Sequence, residues 1–110
     1  MTNELTKLQA ELDLFAYERD WQKFHTPPNL AKAISIEAAE LLELFLWSDG
    51  NDHFKHEVAD EVADIMIYCL MFCTKNAIDP IEAIRAKMLI NAEKYPAEKC
   101  KGSATKYDKL

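Results

Sequence analysis

The sequence predicts an all-α fold, and three features carry that expectation. Apolar residues recur three and four positions apart along most of the 110 residues, which is the period of a helix face. Only two glycines, Gly50 and Gly102, and four prolines are present, too few for the many turns of a β-sandwich or barrel. The turn signals that do occur divide the chain into four helical segments, with no internal repeat and no low-complexity linker. With 49% hydrophobic and 29% charged residues, intrinsic disorder is excluded on composition. The length suits a single domain over 1–110, with an extended, lysine-rich tail from about residue 96.

The first helix is expected from Asn3 to Phe24, with Leu5, Leu8, Leu12, Phe15 and Arg19 along one side, and it stops at His25-Thr26-Pro27-Pro28. Asn29 is then the expected N-cap of a second helix over Leu30 to Trp47. Ser48 to Asp52 is turn chemistry, and a third helix follows from Phe54 to Lys75 or Asn76. Asp79 and Pro80 supply the N-cap and N1 of a fourth, which ends near Tyr95-Pro96. The second helix carries Leu42, Phe45, Leu46 and Trp47 besides the stripe Leu30, Ala33, Ile34, Leu41 and Leu44, so it is expected to be buried nearly all round. The stretch Ile65 to Phe72 reads alike. One four-helix layer does not cover both, which points to a homodimer or homotetramer.

Nineteen acidic against thirteen basic residues give a formal charge of −6, which excludes a general nucleic-acid binder. The three cysteines, Cys69, Cys73 and Cys100, form no disulfide framework. No signal-type or membrane-spanning apolar run is present, and a reducing cytoplasm is the expected compartment.

Four carboxylates stand out against this background. Glu37 falls in the middle of the apolar stripe of the second helix, and Glu40 lies one turn on. Glu61 and Asp64 form a second pair three residues apart, on a face that continues into Tyr68 and Met71. A carboxylate among apolar neighbours needs a cation or a proton, and the short connection lets the two pairs face each other. Oxygen ligands of this kind suit Mg2+, with Mn2+ as a substitute, and leave positions for water and phosphate oxygens. A di-iron bundle would need histidines where Glu40 and Asp64 stand. His53 and His56 lack the cysteine pair of a zinc module, and no P-loop, dinucleotide fingerprint or nucleophile elbow occurs.

The segments ERDWQKFHTPPNL (Glu18 to Leu30), EAAELLELFLW (Glu37 to Trp47), DEVADIMIY (Asp60 to Tyr68) and KMLINAEKYP (Lys87 to Pro96), followed by KGSATKY, resemble the MazG-like all-α nucleoside triphosphate pyrophosphatases, nearest the dCTP pyrophosphatase branch. The resemblance implies a four-helix-bundle-type MazG-like fold, assembled as a homo-oligomer. It also implies magnesium held by Glu37, Glu40, Glu61 and Asp64, and hydrolysis of a (deoxy)nucleoside triphosphate to monophosphate and pyrophosphate. The same four residues are the implied catalytic set, with one of them, or Glu43, taking the proton from water. Trp21 and Trp47 offer stacking faces, His25 and Tyr68 hydrogen-bonding groups, and Asn91, Lys94 and Tyr95 contacts for the triphosphate. Near Leu12 some members place a histidine in the base pocket, so a choice among deoxynucleotides broader than dCTP is open. Two alternatives stand beside this one: a pyrophosphatase acting on another phosphoanhydride, and a non-catalytic helical interaction module with a carboxylate cluster.

Overall fold

A computed structural model describes residues 3–47 and 55–110, among which every regular element is helical. The chain divides into two compact units, Met1–Ile78 and Asp79–Leu110. The expected turn at Ser48 to Asp52, with His53 and Phe54, lies outside the described residues.

In the first unit, α1 spans Glu4–Glu18, a 3-10 turn spans Gln22–Phe24, α2 spans Pro27–Glu43 and α3 spans Lys55–Lys75. Asn3 caps α1, its side-chain oxygen accepting from Thr6 N at 2.8 Å. The expected single helix to Phe24 stops earlier. Asp20 adopts φ +56°, its N–H donating to Tyr17 O and that of Trp21 to Ala16 O, a Schellman closure with aspartate where glycine is usual. The same closure ends α3, where Ala77 sits at φ +55°, with Ala77 N donating to Thr74 O and Ile78 N to Cys73 O.

Thr26, rather than Asn29, caps α2. Its hydroxyl accepts from Asn29 N at 3.3 Å, while Pro27 and Pro28 occupy the first turn, where a missing N–H costs nothing. The helix ends at Glu43 instead of Trp47. The chain beyond tightens into three-residue turns, with Leu44 N, Phe45 N and Leu46 N donating to Leu41 O, Leu42 O and Glu43 O.

α3 packs against both α2 and α1. Among the described residues only Ala16 and Leu30 are fully buried. The single chain does not enclose α2, in line with the expectation that one layer leaves a surplus apolar face: Ile36, Leu42, Leu46 and Trp47 are exposed, as are Val62 and Met66 of α3. α2 has α3 as its main neighbour, and one helix covers one stripe.

The second unit opens on Asp79, whose Oδ1 accepts from Ile81 N at 3.0 Å and Glu82 N at 3.2 Å, with Pro80 at N1 of α4 (Pro80–Lys94). The tail carries a short α5 (Ala97–Cys100) and a 3-10 turn at Tyr107–Lys109. Tyr107 stands edge-on to Tyr95 at 6.0 Å, and Lys94 Nζ lies 4.9 Å from its ring centre.

Candidate metal and nucleotide site

Glu37 on α2 meets Glu61 and Asp64 on α3, one carboxylate oxygen from each lying within 4.8 Å of the others. The spacing of three residues between Glu61 and Asp64 puts both on one side of α3, where α2 packs. Glu37 Oε2 and Glu61 Oε2 are shut off from solvent and, with the carboxylates ionised, have no hydrogen-bond donor. Buried acceptors without donors are rare in folded proteins and call for a proton or a cation. Glu40 lies outside the trio yet close enough to act on it. A shared hydrogen bond with Glu40, then burial, then the charge of Glu40, raises the Glu37 carboxyl from 4.5 to about 7. Glu61 is also raised, first by burial and then by the charge of Glu40, against the lowering effect of a hydrogen bond from Glu37. Hard oxygen donors, converging and unpaired, fit a divalent cation such as magnesium or manganese.

A cavity of about 160 Å3 adjoins this cluster, and Asp64 belongs to its lining together with Leu12, Phe15, Trp21, His25, Ile67, Tyr68 and Met71. The left-handed turn at Asp20 returns Trp21 toward α1, where its ring stands edge-on to Phe15 at 5.9 Å. Arg19 covers the other aromatic, its guanidinium 3.6 Å from the centre of the Phe15 ring. His25 and Tyr68 face each other at right angles, 6.5 Å between ring centres. Burial, and then the charges of Glu37, Asp64 and Glu40, push the Tyr68 phenol above its ordinary value, so it remains a hydrogen-bond donor.

Three of the four expected ligands thus converge with Glu40 beside them, and Trp21, His25 and Tyr68 share one cavity. Trp47 is 93% exposed and is not among the residues that line that cavity. Asn91, Lys94 and Tyr95 belong to the second unit, where Lys94 and Tyr95 pack on Tyr107. Glu43 ends α2, and His56 pairs with Asp60 at 3.6 Å on the surface. Sequence reasoning named Phe15 and Met71 only as apolar positions, while Leu12 was tied to the base pocket through the resemblance alone. Their periodicity is that of any core stripe, and nothing in it marks a cavity wall.

The MazG-like family profile matches residues 32–110, which contain both acidic pairs. The chain belongs to the MazG-like family. It is 36% identical over 115 aligned positions to dCTP pyrophosphatase 1 of Homo sapiens and 35% identical to that of Bos taurus, each alignment covering 97% of this chain. The chain spans 66% of the length of these relatives. A crystal structure of a pyrophosphatase from Archaeoglobus fulgidus superposes with a TM-score of 0.79 at 44% identity, over 87% of this chain and 95% of that one. Among the described residues no helix is long and apolar enough to cross a membrane.

Proposed function

We propose that this MazG-like chain is a magnesium-dependent pyrophosphatase of deoxynucleoside triphosphates, with dCTP or a related dNTP as substrate, working as a single domain in nucleotide-pool house-cleaning in the cytoplasm. One observation carries the reading: Asp64 belongs both to the carboxylate trio and to the lining of the aromatic cavity, so a phosphate chain at the first continues into a base at the second. The names of the relatives support the reaction class, and the three free cysteines fit a reducing compartment.

Glu37, Glu61 and Asp64, with Glu40, would hold the ion. Bound there, it offsets phosphate charge and makes water a better nucleophile. Without a cation the same carboxylates repel a triphosphate, which confines binding to the metal-loaded state. Trp21, backed by Phe15, stacks the base, while His25 and the protonated Tyr68 donate to sugar or phosphate oxygens. In the reaction water attacks the α-phosphorus, the bond to the bridging oxygen breaks, and pyrophosphate leaves. The proton released from water passes to one of the acids, Glu37, Glu40, Glu61, Asp64 or Glu43. Trp47, Asn91, Lys94 and Tyr95 are assigned to nucleotide contacts as well. The open apolar faces of α2 and α3 support a homodimer or homotetramer that covers them.

The test is a panel of dNTPs and NTPs, with and without magnesium or manganese, with product separation. Monophosphate and pyrophosphate from at least one dNTP, lost in EDTA, are expected. Diphosphate and orthophosphate would place cleavage at the wrong bond.

A further inference from the structure

Arg19 follows Leu8, Leu12 and Phe15 on one side of α1, a cation at the end of an apolar stripe. Its ion pair with Glu18 spans 3.9 Å between exposed side chains, too long and too open to fix it. The end of α1 fixes it instead. Arg19 N donates to Ala16 O at 3.3 Å, and Trp21 N reaches the same oxygen at 3.0 Å to complete the Schellman closure. Phe15 O, which a continuing helix would join to Arg19 N, is left to the side chain, and Arg19 Nη1 donates to it at 3.0 Å.

That bond goes with a guanidinium lying over the ring of the same residue, 3.6 Å from its centre. The left-handed turn at Asp20 brings both of its neighbours to this ring. Trp21 stands edge-on to Phe15 at 5.9 Å, and the guanidinium lies 6.0 Å from the Trp21 ring. Phe15 and Trp21 are each 45% exposed, so core packing fixes neither ring. Both line the aromatic cavity, whereas Arg19 is not among its lining residues. A planar guanidinium stacks on a ring with its face while donating along its edge, and an ammonium, a point charge without a plane, does not.

We infer that Arg19 is a positioning residue: it pins Phe15 and Trp21 in the arrangement on which the base stacks, and touches no substrate itself. This rests on the nucleotide reading above, in which Trp21 carries the base. An unpinned Trp21 has to be ordered by the incoming nucleotide, and the cost of ordering it falls on binding. The chemical step takes place at the carboxylates, so the loss belongs in KM rather than in kcat.

The experiment compares wild type with Arg19→Met, which keeps the apolar stem, and Arg19→Lys, which keeps the charge, with folding checked by circular dichroism and Tm. With magnesium and the dNTP that the wild type turns over fastest, KM should rise about fivefold in both variants, the scale of one cation–π contact. The change in kcat should stay within about twofold. Trp21 is watched directly in a Trp47→Phe background, where it is the one remaining tryptophan. Its fluorescence anisotropy without nucleotide should fall when Arg19→Met is added. Wild-type turnover with KM or anisotropy unmoved in a folded Arg19→Met protein overturns the inference and leaves the pyrophosphatase reading standing. Full recovery in Arg19→Lys does the same, since charge alone would then suffice, and so does a fall in kcat at unchanged KM. A Trp21 as mobile as a tryptophan in a short peptide, with Arg19 still in place, also overturns it, so variants that fail to fold do not shelter the inference. Failure of the wild type to turn over any nucleotide overturns both.

Discussion

Removing one charge from the carboxylate trio should make the metal-free protein more stable and the enzyme inert. In Glu37→Gln the side chain keeps its shape and loses its repulsion with Glu61 and Asp64, whose nearest oxygens lie within 4.8 Å. At that distance two unit charges repel by about 1 kcal/mol in water and several times more in protein surroundings. Glu37 is half-buried and open to screening, so the lower figure applies, about 1 kcal/mol. The native carboxyl titrates near 7 instead of 4.5, so the folded state binds its proton more tightly than the unfolded state does. The wild type therefore loses stability as pH rises through that window, and the glutamine variant does not. In EDTA the two proteins should melt alike below pH 4.5 and differ by about 4 °C above pH 7, the variant higher. Magnesium should raise the wild-type Tm and leave the variant nearly unmoved. Turnover should fall about a hundredfold or more, since a lost ligand removes charge stabilisation of several kcal/mol. A variant less stable than wild type by the same amount at both ends of the pH range would refute this electrostatic account, and so would one that kept its full response to magnesium.

Further outcomes follow from single residues. Ala77→Gly should stabilise the protein by about 0.5–1 kcal/mol in urea unfolding, because glycine holds the left-handed conformation without the Cβ penalty. Asp79→Ala should cost about 1 kcal/mol, since its carboxylate accepts the first two free N–H groups of α4. Trp21→Ala should raise KM for the nucleotide about tenfold or more while kcat falls less, a split that steady-state kinetics reads directly.

Much of this architecture was legible from residue types alone, and the exceptions have local causes. Asp79-Pro80 announced the start of α4 because aspartate accepts from free N–H groups and proline has none to offer. The same proline rule, applied to Pro27-Pro28 as a stop only, shifted the start of α2 from Thr26 to Asn29. Both α1 and α3 close through a left-handed residue that is not glycine, so Asp20 and Ala77 gave no turn signal of the usual kind. The acidic pairs were legible because Glu37 interrupts an apolar stripe. The cleft beside the aromatic cavity was not, since it needs Gln9 beside Thr74 across 65 positions of sequence, and exposed amides are common on any helix. The apolar surround of α2 was legible as composition, and one neighbouring helix covers only one stripe of it, leaving the surplus face expected to need an oligomer.

The connector between Glu18 and Pro27 has an evolutionary consequence. It carries Trp21, Gln22 and His25, three residues that face the cavities, whereas the carboxylates stand on the long helices α2 and α3. On the proposed reading, part of base recognition therefore sits on the connector, while ion binding sits on the long helices, which also carry Tyr68. The helices constrain each other through packing, and a change there disturbs the cluster. The connector answers mainly to its caps, the Asp20 turn and Thr26, so its cavity-facing residues can drift while the reactive centre is preserved. On the proposed reading, a lineage built this way can vary part of its base preference at Trp21, Gln22 and His25 while the carboxylates stay in place.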